Sequence, residues 1–325
     1  MKRLLAALLL LGAAPGLQAA EVPKFQFPPI APAKPTTGPE APDLAFGAYQ
    51  RGYYLTAFSE ATKRVQASQD PVAMTLLGEL YNQGLGVPRD LTKAAAWYGE
   101  AAKRGNKDAI FAYGMAKITG PDETIKDPAK RGIEKDETGG ILLLNKAAEM
   151  KVPAASYNLG IIALRPSNGP PDYATALKRF GEAAETGNAD ALYSLGVLAR
   201  EGKGTQTDPK RAAEFFAAAA KGGNVDAMIE YAIALFNGLG VDQNEETAAE
   251  WLQKAANAGS PIARNRLARL YAAGKGVPSN PIEAGAWHLL AKEAGIDDPD
   301  LDKFFGGLTE DMQQQAVTRA RELGL

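Results

Sequence analysis

Six oxygen-bearing side chains recur at one place in a repeating frame: Asp90, Asp136, Asp172, Asp208, Asn244 and Asn280. A recurring carboxylate could serve acid–base catalysis or hold a metal, so its surroundings decide what it does. Asn takes the place twice, and an amide cannot ionise. Every copy also stands just before a helix-forming, mostly Ala-rich run. The column is therefore read as N-caps, each accepting a hydrogen bond from an unpaired amide of the helix that follows; losing one costs about 1 kcal/mol.

Other chemistry is poorly supplied. One His and no Cys among 325 residues remove His-dependent triads, thiol nucleophiles, disulfides and most zinc sites. His288 stands in a column filled elsewhere by Tyr98, Leu144, Phe180, Phe216 and Leu252, which reads as packing. Glycine pairs recur at Gly84/Gly86, Gly202/Gly204, Gly238/Gly240 and Gly274/Gly276. A phosphate cradle would need a strand before them, and no strand pattern precedes any. They read instead as turns that end one helix in the left-handed conformation and reverse the chain. The reading is a non-enzyme without cofactor or metal. A cell-wall lytic enzyme is one rival, because some of these carry superhelical helix pairs, but it needs a dedicated catalytic cleft; an envelope chaperone or assembly factor is the other alternative.

The elements that position these residues repeat. An Ala opens each unit at Ala73, Ala109, Ala155, Ala191, Ala227 and Ala263, with steps of 36, 46, 36, 36 and 36 residues. Five residues later comes a small residue, Gly78, Gly114, Gly160, Gly196, Ala232 or Ala268. Apolar residues spaced four apart, such as Ala73, Leu77 and Tyr81, mark a first helix, A, whose small columns admit a close neighbour. A second helix, B, carries Ala94, Gly140, Ala176, Ala212, Ala248 and Ala284, then large groups at Trp97, Leu143, Phe215, Trp251 and Trp287, with Arg179 the exception. It stops at Gly105, Gly187, Gly223, Gly259 and Gly295, with Lys151 once in that place. Two antiparallel helices per unit make the fold class all-α.

These residues resemble the Sel-one-like repeats, short relatives of the tetratricopeptide repeats. The pattern Ala-x-x-x-Leu-Gly-x-x-Tyr-x-x-Gly-x-Gly-Val, then Asp-x-x-x-Ala-x-x-Trp-Tyr-x-x-Ala-Ala-x-x-Gly, is matched from Ala73 to Gly105 and again, with small changes, in later units. The resemblance implies a right-handed superhelical solenoid used for protein–protein contact, often in bacterial signalling or envelope assembly, with no conserved chemistry. Six repeats are expected over 71–296: 71–106, 107–152, 153–188, 189–224, 225–260 and 261–296. The second has about ten extra residues over 120–139, a candidate contact loop rich in charge, including Asp122, Glu123, Lys126 and Lys130.

In such solenoids helix A lines the concave side. On that implication the expected groove for an apolar peptide or helix runs through Phe111 and Met115, Tyr157 and Ile161, Tyr193 and Val197, and Ile229, Ile233 and Phe236. The equivalent outer positions, Thr75 and Glu79 at one end and Asn265 and Arg269 at the other, are polar. The expected partner is a protein or peptide, such as the outer part of a membrane signalling or envelope protein.

The ends extend the frame. Residues 44–70 read as an N-terminal helical pair with Tyr49, Tyr53 and Phe58 in its core, and 297–325 as a C-terminal capping helix with Thr309 as its N-cap and Met312, Ala316, Ala320 and Leu323 on its apolar side. Residues 1–20 have a basic start, a short apolar run broken at Pro15-Gly16 and small residues at Ala19-Ala20, which predicts a cleavable signal peptide and a periplasmic or secreted protein. Pro-rich residues 21–43 predict an extended linker. Formal net charge is −2, or −4 without Lys2 and Arg3, and no basic run offers nucleic acid a footprint.

Overall fold

The computed structural model describes residues 43–166 and 169–325. The expected signal peptide and all of the expected linker but Asp43 lie outside the described residues. Chain contacts divide the rest into two compact units, an N-terminal one ending at Ala183 and a C-terminal one starting at Ala184.

In the N-terminal unit the helices are α1 (Leu44–Gln50), α2 (Tyr54–Ser68), α3 (Pro71–Gln83), α4 (Leu91–Lys103), α5 (Lys107–Thr119), α6 (Glu137–Glu149), α7 (Pro153–Ala163) and α8 (Tyr173–Ala184). The C-terminal unit has α9 (Ala189–Glu201), α10 (Pro209–Lys221), α11 (Val225–Asn237), α12 (Glu245–Asn257), α13 (Pro261–Ala273), α14 (Pro281–Glu293), α15 (Pro299–Gly306) and α16 (Glu310–Leu323). The chain is an all-α solenoid of paired antiparallel helices. Helix A of the repeats is α3, α5, α7, α9, α11 or α13, and each following helix is its B partner.

Helices A and B meet where A is small and B is large. A methyl added to Gly78 would lie 2.5 Å from the Tyr98 ring; at Gly160 it would lie 2.6 Å from Phe180, and at Gly196 2.6 Å from Phe216. In the pair α5/α6 both sides are pared down, Gly114 against Leu144 and Gly140 against Ile118. Where the B residue is Leu252, the A residue is Ala232, and both lie in one buried cluster. A side chain added at these closed contacts overpacks, at a cost of about 1–3 kcal/mol.

The turns between A and B are fixed from both directions. Each cap side chain accepts from the first turn of helix B: Asp90 from the Lys93 amide, Asp136 from Gly139, Asp172 from Thr175, Asp208 from Arg211, Asn244 from Thr247 and Asn280 from Ile282 and Glu283. The backbone N–H of the same six residues donates backwards to a helix A carbonyl, on Tyr81, Lys117, Ala163, Ala199, Leu235 and Tyr271. The bond survives the ten-residue insertion before Asp136 unchanged, at 2.8 Å.

The second glycine of three pairs, Gly86, Gly240 and Gly276, also touches a neighbour. Gly240 has φ +72, beside Gly238 at φ +67, and its added Cβ would lie 2.1 Å from the Pro209 carbonyl oxygen at the start of α10. Gly276 sits equally close over Glu245 of α12.

The ends differ from expectation in two places. Tyr53 is 61% exposed because it precedes α2 at the reversal and points away from the pair, while Tyr49 and Phe58 are half-buried. The C-terminal cap is two helices, not one. The short α15 inserts Leu301, 1% exposed, into the core of the C-terminal unit, and α16 adds Ala316 and Ala320. Met312 stays 37% exposed.

The Gly240 contact gives a direct expectation. Gly240→Ala combines a left-handed backbone with a collision against backbone atoms, so it should cost more than about 1 kcal/mol. Gly223→Ala has φ +90 but nothing within 4 Å and should cost less. Urea unfolding followed by helical circular dichroism ranks the two.

Candidate functional site

The nine expected groove residues fall into two environments. In the N-terminal unit Phe111 and Met115 are 5% and 2% exposed and pack with Ile110, Ile118, Leu144 and Leu159. Ile229 in the C-terminal unit is 6% exposed. These three are core side chains, because neighbouring helices close over them. Tyr157 and Ile161, and separately Tyr193, Val197, Ile233 and Phe236, are half-buried. Tyr157 leans on Phe180 at a centroid distance of 5.7 Å, and Tyr193 on Phe216 at 5.9 Å. Each ring thus rests on its own helix B and keeps an outer face.

The polar end positions are tied up within the chain, Glu79 inside its own repeat and Asn265 and Arg269 on α15. Glu79, 2% exposed, accepts from the Tyr98 hydroxyl at 2.8 Å and from the Gln83 side chain. Burial raises its pKa against the lowering effect of those two hydrogen bonds. At the other end Asp298, the N-cap of α15, is 3% exposed and receives Asn265 at 2.7 Å and the Arg269 guanidinium at 2.7 and 2.8 Å. Burial pushes this carboxyl up, but the hydrogen bonds and the Arg269 charge together leave it lowered. Asn265 and Arg269 are consumed in holding α15.

The helix A face of the C-terminal unit is otherwise charged. Arg200 pairs with Glu230 at 2.5 Å, and Asn224 donates to Asp190 at 2.8 Å. Burial, with Glu230 and Asp226 nearby, pushes the Tyr193 hydroxyl up to about 12. Asp226 is raised by burial and by the Glu230 and Asp190 charges.

The inserted loop is tied down. Arg89 reaches Asp122 at 3.2 Å, and Thr92 of α4 exchanges hydrogen bonds with Gly132, giving 3.1 Å from its hydroxyl to the carbonyl and 3.2 Å back from the amide. Arg131 closes the loop on the Ile125 carbonyl and Glu123. Lys126 stays exposed, and Lys130 is half-buried and pairs with Asp127 at 3.3 Å.

His288 is 2% exposed, with Nε2 3.0 Å from Asp302 of α15. Among the described residues no three His, Cys, Asp or Glu side chains are placed to hold a metal.

The Sel1 repeat profile matches residues 71–106, 107–152, 153–188, 189–224, 225–260 and 261–296. The chain belongs to the Sel1 repeat family. The structure is similar to a Sel1 repeat protein from Oxalobacter formigenes, with TM-score 0.68 and 28% identity over 77% of this chain and 98% of that one. A protective antigen present in uropathogenic Escherichia coli strains, described as displaying an SLR fold, aligns at TM-score 0.47 and 24% identity, over 86% of this chain and 67% of that one. Chitin synthase regulatory factor 3 of Schizosaccharomyces pombe is 33% identical over 95 residues, 29% of this chain. The match spans only 9% of that protein's length. Sel1 repeats are protein-interaction scaffolds, and this chain is one.

The caps of helix A, which pattern reading passed over, follow the same rule as those of helix B. Asn106, Asn188, Asn224 and Ser260 accept from the amides of Ala109, Ala191, Ala227 and Ala263. Their signal was a polar residue directly after the helix B glycine.

Glu79 supplies a pH test. Its raised pKa means the native state holds a proton that the unfolded chain releases in the ordinary carboxylate range, so its contribution is full below that range and is lost as pH rises through the native value. Glu79→Gln keeps an acceptor for Tyr98 and removes the titration. Thermal midpoints should show the variant gaining on the parent between about pH 4 and pH 7; a constant gap across that range would contradict the assignment.

Proposed function

We propose that this protein is an exported scaffold that docks, through the open face of helix A, on the outer part of a membrane signalling or envelope protein. The leader-like residues 1–20 support export. No described helix is long and apolar enough to cross a membrane.

The observation that carries the reading is the contrast along helix A. End positions Glu79, Asn265 and Arg269 are spent on attachments within the chain, whereas Tyr193, Val197, Ile233 and Phe236 are half-buried side chains with an outer face. Tyr and Phe held on a rigid helix present apolar area at small entropic cost, the chemistry of contact hot spots.

Cross-linking in intact cells followed by capture from the envelope fraction tests it. The wild type should retain one dominant envelope protein, and Val197→Ala/Phe236→Ala should lose it by about tenfold with helicity unchanged. Capture unaffected by the double variant would move the contact elsewhere, and recovery of unprocessed chain only from the cytoplasm would reject export.

A further inference from the structure

Arg266 of α13 makes no hydrogen bond and no ion pair with any described residue, although Nε is enclosed and without an acceptor. Its two terminal nitrogens, equally unbonded, are not enclosed, so the guanidinium presents its outer edge. Burial lowers its pKa, opposed by the Glu230 charge and assisted by Arg269. Neither neighbour answers it: Glu230 is taken by Arg200 at 2.5 Å, and Arg269 is held by Asp298 at 2.7 Å. A guanidinium stripped of water on one side and left without an anion is costly to the free protein.

Its own position and the one a turn before it differ in character from the two preceding repeats. At the position of Ile262, the two preceding repeats carry Asp190 and Asp226; at the position of Arg266 they carry Ser194 and Glu230. Ile262 lies one turn before Arg266 on the same helix side and is 49% exposed. On α13 alone, an exposed apolar side chain thus adjoins an unanswered guanidinium fork.

We infer that Arg266 and Ile262 receive an acidic side chain and an adjacent apolar one from an extended peptide segment of the partner. The fork matches a carboxylate in two parallel hydrogen bonds, and the enclosed setting strengthens them relative to a surface pair. Asp226 and Glu230 disfavour a second acid on their side, so the segment is singly acidic rather than polyacidic. This inference rests on the helix A face being the binding face.

Fluorescence anisotropy with the full mature chain tests it, using a labelled peptide that has one glutamate between leucines and its glutamine counterpart. Wild type should prefer the glutamate peptide by about tenfold, Arg266→Met should bind both alike, and Arg266→Lys should keep part of the preference. Equal binding of both peptides by wild type would overturn the Arg266 assignment alone; binding of neither would overturn it together with the helix A face as docking surface. The melting midpoint supplies a second readout. Arg266→Met should melt no lower than wild type, since it removes an unanswered charge, and a clear drop would make Arg266 a structural residue and end the proposal.

Discussion

Within each repeat the two helices can approach only where the A side has given up its side chain to the B side. Gly78, Gly160 and Gly196 are the floors on which Tyr98, Phe180 and Phe216 lie. The contact explains why small and large columns travel together through the sequence, with Leu252 met by Ala232 and Leu144 by Gly114, where Gly140 on helix B brings the two backbones closer still. Glycine inside a helix costs roughly 0.5–1 kcal/mol in backbone entropy, so its retention there implies that ring burial returns more. Everything else in the unit, from the reversed turn to the doubly bonded cap residue, holds these two surfaces in register.

An array of such pairs has ends, and the ends shape the function. Each terminal repeat exposes a face that an inner repeat would cover. At the start, Glu79 lies buried under Tyr98 and Gln83; at the finish, Asn265 and Arg269 grip the Asp298 cap of α15. Polar residues at positions that are apolar in the middle repeats are thus fastenings. The half-buried middle positions, such as Val197, Ile233 and Phe236, are where the proposed partner would be met.

Periodicity made the solenoid legible, since a column repeated six times averages away local noise. The N-caps, the terminating glycines and the packing of His288 could be read from their columns. Exposure could not. Phe111, Met115 and Ile229 share columns with half-buried residues, and only the placement of neighbouring helices decides which are covered. Tyr53 reads as core from its aromatic type alone, and the eight residues of α15, directly after a helix, carry too few turns for a periodic signal. Arg266 went unnoticed for the opposite reason: its column reads Leu76, Ala112, Asn158, Ser194, Glu230, Arg266, with no repeated type, and its significance is the lack of a counter-ion.

The most direct measurement of the packing rule is a double-mutant cycle at Gly196 and Phe216. Gly196→Ala and Phe216→Leu are each expected to destabilise the chain in urea, by about 1–3 kcal/mol. Combined, they rebuild the pairing of Ala232 with Leu252, so the double variant should be more stable than the sum of the two losses, by roughly 0.5 kcal/mol or more. Strict additivity would show that the small residue on A and the ring on B are independent, and would contradict the account.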